Sequence, residues 1–277
     1  MKKILSGGFH VIKIIFSDMD GTLLTSENKL PAGFDDMIGE LKKRGVIFAP
    51  ASGRQYFSLL KTFPKYKDEF IFLSDNGTLV MSHGEEMFSQ PMKNDIALEL
   101  LYESAKIKNI LRVYCGKKNA YIQDFQDKPE YRAELEKYYT HNEVIKVWAD
   151  IEDTPIKLSF FEGNHNADEK IYQKLKRFNG EVQVILSSDE WVDVMMPGVN
   201  KGSAVSKVQE LLDIKAEECA AFGDYLNDYE MLQSVGYSFA MSNAHPDLKK
   251  VAKFDTVSNN EGGVLVGIKK LMDEGLI

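Results

Sequence analysis

The chain has 277 residues, 42 of them acidic against 34 basic, and a formal net charge of -8. That balance weighs against a duplex nucleic-acid binder, which needs a Lys/Arg surplus to face phosphates, but leaves room for a small phosphorylated ligand served by a few local cations. Hydrophobic residues at 44% and charged residues at 27% are ordinary for a globular protein, and no apolar run reaches the roughly 18 residues of a membrane span.

Met1-Lys2-Lys3-Ile4-Leu5-Ser6-Gly7-Gly8 is basic at its tip but lacks a sustained apolar stretch, so no signal peptide is expected. Cys115 and Cys219 are the only cysteines, which fits a reducing cytoplasm. Cys219, in Cys219-Ala-Ala-Phe222, reads as a small core residue. There is no CxxC pair, and His10, His83, His141, His165 and His245 contain no i,i+4 pair, so neither a zinc site nor a His-based metal site is expected.

In chain order, the β-branched run Val11–Phe16 predicts a buried strand. Pro31–Arg44 follows with helical spacing, placing Phe34, Met37, Ile38 and Leu41 on one face and Gly45 as the stop. Val46–Ala49 predicts a second strand, Arg54–Thr62 a short helix and Phe70–Leu73 a third strand. Strands alternating with helices predict a parallel, doubly wound sheet. The middle reads differently. After the helical Asn94–Ala105 come the hairpin Ile110–Cys115/Ala120–Gln123, a helix over Glu130–Tyr139, the strand Ile156–Phe161, the helix Ala167–Phe178 and the hairpin Val182–Leu186/Trp191–Met196. Beyond Pro197-Gly198 the alternating style returns, with helix Gly202–Leu212, strand Cys219–Phe222, helix Asn227–Ser234 and a last helix from Gly263 to about Met272. The chain therefore divides into an α/β part, residues 1–87 and 195–277, interrupted by an α+β insertion at 88–194.

Chemistry-bearing residues gather at strand ends. In open α/β sheets, ligands bind outside the carboxyl ends of the strands, and the first strand ends in Asp18-Met-Asp20-Gly-Thr22. Two carboxylates this close need a cation or a shared proton to be buried together, and a hard cation such as Mg²⁺ suits oxygen ligands. An Asp-rich turn that merely stops a strand is the alternative. An EF-hand is excluded, because counting from Asp18 puts Leu23 at the glycine position and Lys29 at the glutamate position. The second strand ends in Ala51-Ser52-Gly53-Arg54 ahead of a helix, a pattern that suits an anion as well as an ordinary capped turn. Lys201 precedes Gly202 at a later helix start, where it could reach a phosphate or remain a solvated charge. Gly223-Asp224-Tyr-Leu-Asn227-Asp228 closes another apolar strand; Asp224 is a natural third oxygen ligand, although taken alone the piece reads better as an N-capping Asp with acidic first-turn residues. Four such features at corresponding ends of one sheet argue for a site more strongly than any one of them.

In this order the four pieces resemble the motifs of haloacid dehalogenase (HAD) superfamily phosphatases. Asp18-Met-Asp20-Gly-Thr22 looks like the first motif, Ser52 the second, Lys201 the third and Gly223-Asp224-x-x-Asn227-Asp228 the fourth. The insertion is placed like the C2B cap of the Cof-type (IIB) branch. Asp75-Asn76-Gly77 and Ala240-Met-Ser-Asn243-Ala resemble Cof-type segments, with Ser242 where Gly is more usual. The resemblance implies a Rossmann-like core with a cap that sets specificity, and Mg²⁺-dependent hydrolysis through an aspartyl-phosphate on Asp18. It implies Asp20 as the acid and base, Mg²⁺ on the Asp18 carboxylate, the Asp20 carbonyl and Asp224, and a phosphoryl group held by Ser52, Gly53 and Lys201. Asn227 would contact phosphate or orient Lys201, and Asp228 would steady Lys201 or a metal-bound water.

The same motifs also serve phosphotransferases of the phosphomannomutase type. A phospho-accepting binding protein without turnover is the third reading, against which the presence of Asp20 argues. The implied ligand is a small phosphorylated metabolite, with a sugar phosphate foremost and flavin mononucleotide or pyridoxal phosphate open. Neither nucleic acid nor membrane is expected as a partner, and a monomer or weak homodimer would suffice. In the insertion, Arg112, Tyr114, Tyr121, Lys157, Asp189, Trp191 and Asp193 are substrate-contact candidates, most of them better explained as ordinary hairpin residues with aromatics packing the sheet.

Overall fold

A computed structural model describes residues 12–123 and 129–277; Val11, the expected start of the first strand, and His10 lie outside them. The chain packs as two compact units. One comprises the segment ending at Ala51, with Glu69–Ile71 and Val205–Ile277, and the other comprises Ser52–Asp68 and Phe72–Ala204.

The first unit is built on a five-stranded parallel sheet, in the order Phe254–Asp255, Tyr237–Ala240, Cys219–Gly223, Ile14–Ser17, Ile47–Pro50. Every residue of Ile14–Ser17 is buried, as a strand covered on both faces demands. Its register pairs Ser17 with Phe222 on one side and with Pro50 on the other. Asp18, Gly223 and Ala51 therefore leave the sheet at one level. The chain runs from Ile14–Ser17 to one neighbour and returns much later to the other, so the strand order switches here. Helix Phe34–Lys43 buries Phe34, Ile38 and Leu41, with Asp35 and Asp36 in its first turn and Lys42 and Lys43 in its last, which complements the helix dipole. As expected, it stops at Gly45, which has φ +72°, and the Val46 N–H returns to the Leu41 carbonyl. The closing helix Gly263–Asp273 approaches the sheet at Gly267, where a Cβ would overlap the Phe222 ring.

The second unit carries a six-stranded sheet in the order Gln183–Leu186, Trp191–Met195, Pro155–Phe161, Leu111–Gly116, Ala120–Gln123, Asn142–Ile145. It is antiparallel apart from the pairing of Ala120–Gln123 with Asn142–Ile145. Pro155–Phe161 is buried along its whole length. Both expected hairpins are present, and the Asn142–Ile145 strand was not foreseen.

Two expectations need correction. The third strand, Ile71–Ser74, does not join the parallel sheet but lies in a three-stranded sheet with Leu79–Ser82 and Glu85–Ser89. The physical reason is the turn that follows it. Asp75, Asn76 and Gly77 all have positive φ, which sends the chain straight back to pair with its next strand. The segment expected as one helix over Ala167–Phe178 is a π turn at Asp168–Tyr172, a single α turn at Gln173–Leu175 and a 3-10 turn at Lys176–Phe178. Packing also groups segments 52–68, 72–87 and 195–204 with the antiparallel sheet, although sequence pattern allies them with the parallel one.

Among the described residues no helix is long and apolar enough to cross a membrane. Cys115 and Cys219 are both buried, as foreseen for Cys219, and burial pushes their thiols up to about 12 and about 11. Because the thiolate is the reactive form, both should alkylate with iodoacetamide at pH 8 at least about tenfold more slowly in native than in urea-unfolded protein. Native reactivity equal to that of the unfolded chain would contradict this packing.

Candidate active site

Asp18 continues directly from the central strand. Its N–H donates to the Phe222 carbonyl at 3.0 Å, and it is buried, 6% exposed. Asp20, two residues on, is exposed. The turn between them is closed by the Leu24 N–H donating to the Met19 carbonyl at 2.8 Å, with Gly21 at φ +80°. One short turn thus gives two carboxylates opposite environments, one buried in a cluster and one open to solvent.

Asp18 meets Asp224 and Asp228, and a carboxylate oxygen of each lies within 4.8 Å of the others. Asp224 emerges from Cys219–Gly223, the strand beside Ile14–Ser17. The Thr22 hydroxyl donates to Asp224 Oδ1 at 2.8 Å, and the His245 N–H donates to its carbonyl at 2.8 Å. Asp228, fully buried, folds back so that its Oδ2 accepts the Asp224 and Tyr225 N–H groups at 3.0 and 3.3 Å. Gly223 makes this possible, because a Cβ there would lie 2.6 Å from that of Asp228. Asp228 therefore both reaches back to cap its turn and supports Asp224. Three converging carboxylates, two of them buried, are an oxygen donor set suited to a hard divalent cation, whose charge would offset their repulsion. Asn227 is exposed in the Leu226–Asp228 turn.

Ser52, Gly53 and Lys201 belong to the second unit. Ser52 is buried, and its Oγ accepts the Arg54 N–H at 3.1 Å. Helix Lys201–Leu212 starts where it does because Asn200 caps it. The Ser203 N–H donates to Asn200 Oδ1 at 2.8 Å, and the Asn200 N–H donates to Ser203 Oγ at 3.0 Å. Lys201, in the first turn, is fully buried, unlike the solvated charge that was its plain alternative.

Most of the substrate-contact candidates in the insertion are hydrogen-bonded within it. Arg112 donates to Ser104 Oγ and to the Ile107 carbonyl below helix Asn94–Ser104. Tyr114 and Tyr121 donate to Asp153, and Trp191 donates to Glu134. Asp189 pairs with His165 at 2.8 Å, which raises the His165 pKa; both are exposed, and half-buried Glu190 lies beside them. Lys157 and Asp193 differ from the rest because they are charged and yet buried. Lys157 Nζ lies 2.9 Å from Asp75 Oδ1 and donates to the Gly53 carbonyl at 2.9 Å. Burial opposes its ammonium, but Asp75, Tyr139 and Asp193 hold its pKa well above the ordinary lysine value. Sequence reading missed this contact and those of Thr22 and Gly21. The available signal was a lysine in the otherwise uncharged run Pro155–Phe161, where solvation could not be its role.

A family model for haloacid dehalogenase-like hydrolases matches residues 15–268. The chain is 32% identical over 267 residues to a 5-amino-6-(5-phospho-D-ribitylamino)uracil phosphatase of Escherichia coli, covering 94% of this chain and 96% of that one. Among solved structures, a protein of Streptococcus mutans superposes with TM-score 0.83 at 25% identity over 95% of this chain and 99% of its own. A HAD subclass IIB sugar phosphatase superposes with TM-score 0.78 at 19% identity over 96% and 100%, a likeness of fold. With the family model spanning nearly the whole chain and the acidic motifs in place on the parallel sheet, the chain belongs to the haloacid dehalogenase-like hydrolases.

Proposed function

We propose that this chain is a Mg²⁺-dependent phosphatase of small phosphorylated metabolites, acting through an aspartyl-phosphate. The observation that carries this reading is the convergence of Asp18, Asp224 and Asp228, with Asp20 exposed two residues beyond Asp18. A carboxylate nucleophile splits hydrolysis into two easier displacements. Asp18 attacks phosphorus, and Asp20 gives its proton to the departing alkoxide. Asp20, now ionised, takes a proton from the water that attacks the phospho-Asp18, which releases phosphate and restores both groups. The Asp18 and Asp224 carboxylates and the Asp20 carbonyl would hold Mg²⁺, which supplies charge neutralisation at the phosphoryl oxygens. Ser52, Gly53 and Lys201 hold the phosphoryl group, Asn227 contacts it or orients Lys201, and Asp228 keeps Asp224 in place. Residues 88–194 act as the cap that selects the leaving group and excludes water.

The relative's name supports a phosphorylated ribityl or sugar-like substrate. The test is a phosphate-release screen with Mg²⁺ over sugar phosphates, 5-amino-6-(5-phospho-D-ribitylamino)uracil, flavin mononucleotide and pyridoxal phosphate. Release from at least one substrate, abolished by EDTA and restored by Mg²⁺, is expected. Activity indifferent to chelation would refute the metal assignment. Isomerised sugar phosphate in place of free phosphate would mark a phosphotransferase.

A further inference from the structure

Three consecutive carbonyls of the Ser52–Arg54 loop are each held by a donor. The Asn76 N–H donates to Ser52 O at 2.9 Å, Lys157 Nζ to Gly53 O at 2.9 Å and the Asp75 N–H to Arg54 O at 3.0 Å. A trans peptide directs its N–H opposite to its C=O, so fixing these carbonyls also fixes the N–H groups of Gly53, Arg54 and Gln55. The Arg54 N–H in turn orients the Ser52 hydroxyl.

Two of the three donors come from the Asp75–Gly77 turn, and the third is paired to it. That turn has φ values of 50°, 58° and 92°, a left-handed run that persists only where its surroundings hold it. Lys157 anchors it through the buried ion pair with Asp75, both side chains being 1% exposed. Asn76 Nδ2 donates to Asp193 Oδ2 at 3.3 Å. Asp193 also accepts the Ser159 and Ser187 hydroxyls, and Tyr139 donates to Ser159. The other end of the turn braces the Lys201 helix. A Cβ on Gly77 would lie 2.6 Å from the Asn200 carbonyl and 2.8 Å from the Ala204 Cβ.

We propose that Lys157, acting with Asp75, is a positioning residue for the phosphoryl-holding groups: it fixes the Ser52–Arg54 loop and the turn against which the Lys201 helix starts. The proposal rests on the reading of Ser52, Gly53 and Lys201 as those groups. Lys157 does not touch the phosphoryl group; it sets the direction of the groups that do.

Lys157→Met alone leaves the Asp75 carboxylate buried without its partner and is expected to be unstable. The decisive variant is therefore Lys157→Met/Asp75→Asn, which removes both charges and leaves the Gly53 carbonyl unsupported. In the ligand-free protein, amide exchange at Gly53–Gln55 should rise by about tenfold or more. Competitive inhibition by inorganic phosphate should weaken by about tenfold or more. The Mg²⁺ concentration for half activation should stay within about twofold, because its proposed ligands lie elsewhere. Unchanged exchange in the loop would overturn the proposal. So would parallel losses of phosphate and Mg²⁺ affinity, which would mark general loosening. Faster exchange with unchanged phosphate inhibition would also overturn it, and would locate the failure in the phosphate-holding reading rather than in the contact with Lys157.

Discussion

Asp18→Asn should leave a folded protein whose turnover falls by roughly three orders of magnitude or more, the scale set by loss of a covalent nucleophile. The amide nearly matches the carboxylate in shape but is a poor nucleophile and carries no charge. Its effect on stability should have the opposite sign. Asp18 is buried beside Asp224 and Asp228, so removing one negative charge relieves repulsion. The melting temperature without metal should be unchanged or higher than wild type. Mg²⁺ should raise the wild-type melting temperature more than that of the variant, since a ligand stabilises in proportion to its binding of the native state. Single-turnover assays and thermal melts with and without Mg²⁺ check both halves. Near wild-type turnover in the presence of Mg²⁺ would show that Asp18 is not the nucleophile.

The parts of this site that were legible in the sequence are those whose partners are encoded locally. Asp18 and Asp20 sit at the end of an apolar run, and Asp224 and Asp228 bracket a turn after another. Strand ends can be read from hydrophobic pattern, and the sheet's register then brings the carboxylates together without further instruction. The Gly45 helix stop and both antiparallel hairpins were legible for the same reason.

What was missed depends on distant partners. Lys157 and Gly53 are 104 residues apart, so the uncharged run around Lys157 signals burial without saying which groups it meets. Asp193 accepts from Asn76, Ser159 and Ser187, none of which its own segment makes conspicuous. Tyr237–Ala240 was passed over because Tyr-Ser-Phe-Ala contains no β-branched residue, and Phe254–Asp255 because two residues are too short for periodicity to register. Ile71–Ser74 looked like another parallel strand because its composition is that of one; only the three positive φ values after it redirect its pairing. Asp168–Phe178 has a helical apolar pattern, but pattern does not report which hydrogen-bond spacing the backbone adopts.

Gly21→Ala should damage the metal site by steric means alone. Gly21 has φ +80°, where an L residue costs roughly 1–2 kcal/mol. Its added Cβ would also overlap the Asp224 carboxylate, whose Cγ lies only 2.9 Å from that position. Asp224 cannot yield without cost, because Thr22 holds its Oδ1 at 2.8 Å. Either the Asp18–Thr22 turn shifts or the Asp224 carboxylate rotates, and each change disturbs the proposed cation ligands. The Mg²⁺ requirement for half activation should rise by about tenfold or more, which is roughly 1.4 kcal/mol, and kcat/KM at fixed Mg²⁺ should fall with it. Gly45→Ala separates this effect from backbone strain. Gly45 has φ +72°, but a Cβ there meets nothing within 4 Å. It should therefore lose about 1 kcal/mol of stability from strain, with Mg²⁺ activation unchanged. If metal titrations of the two variants coincide within about twofold, the overlap with Asp224 is without consequence and Asp224 does not hold the cation. A clear separation between them would tie the left-handed turn after Asp20 directly to the metal chemistry, through one missing methyl group.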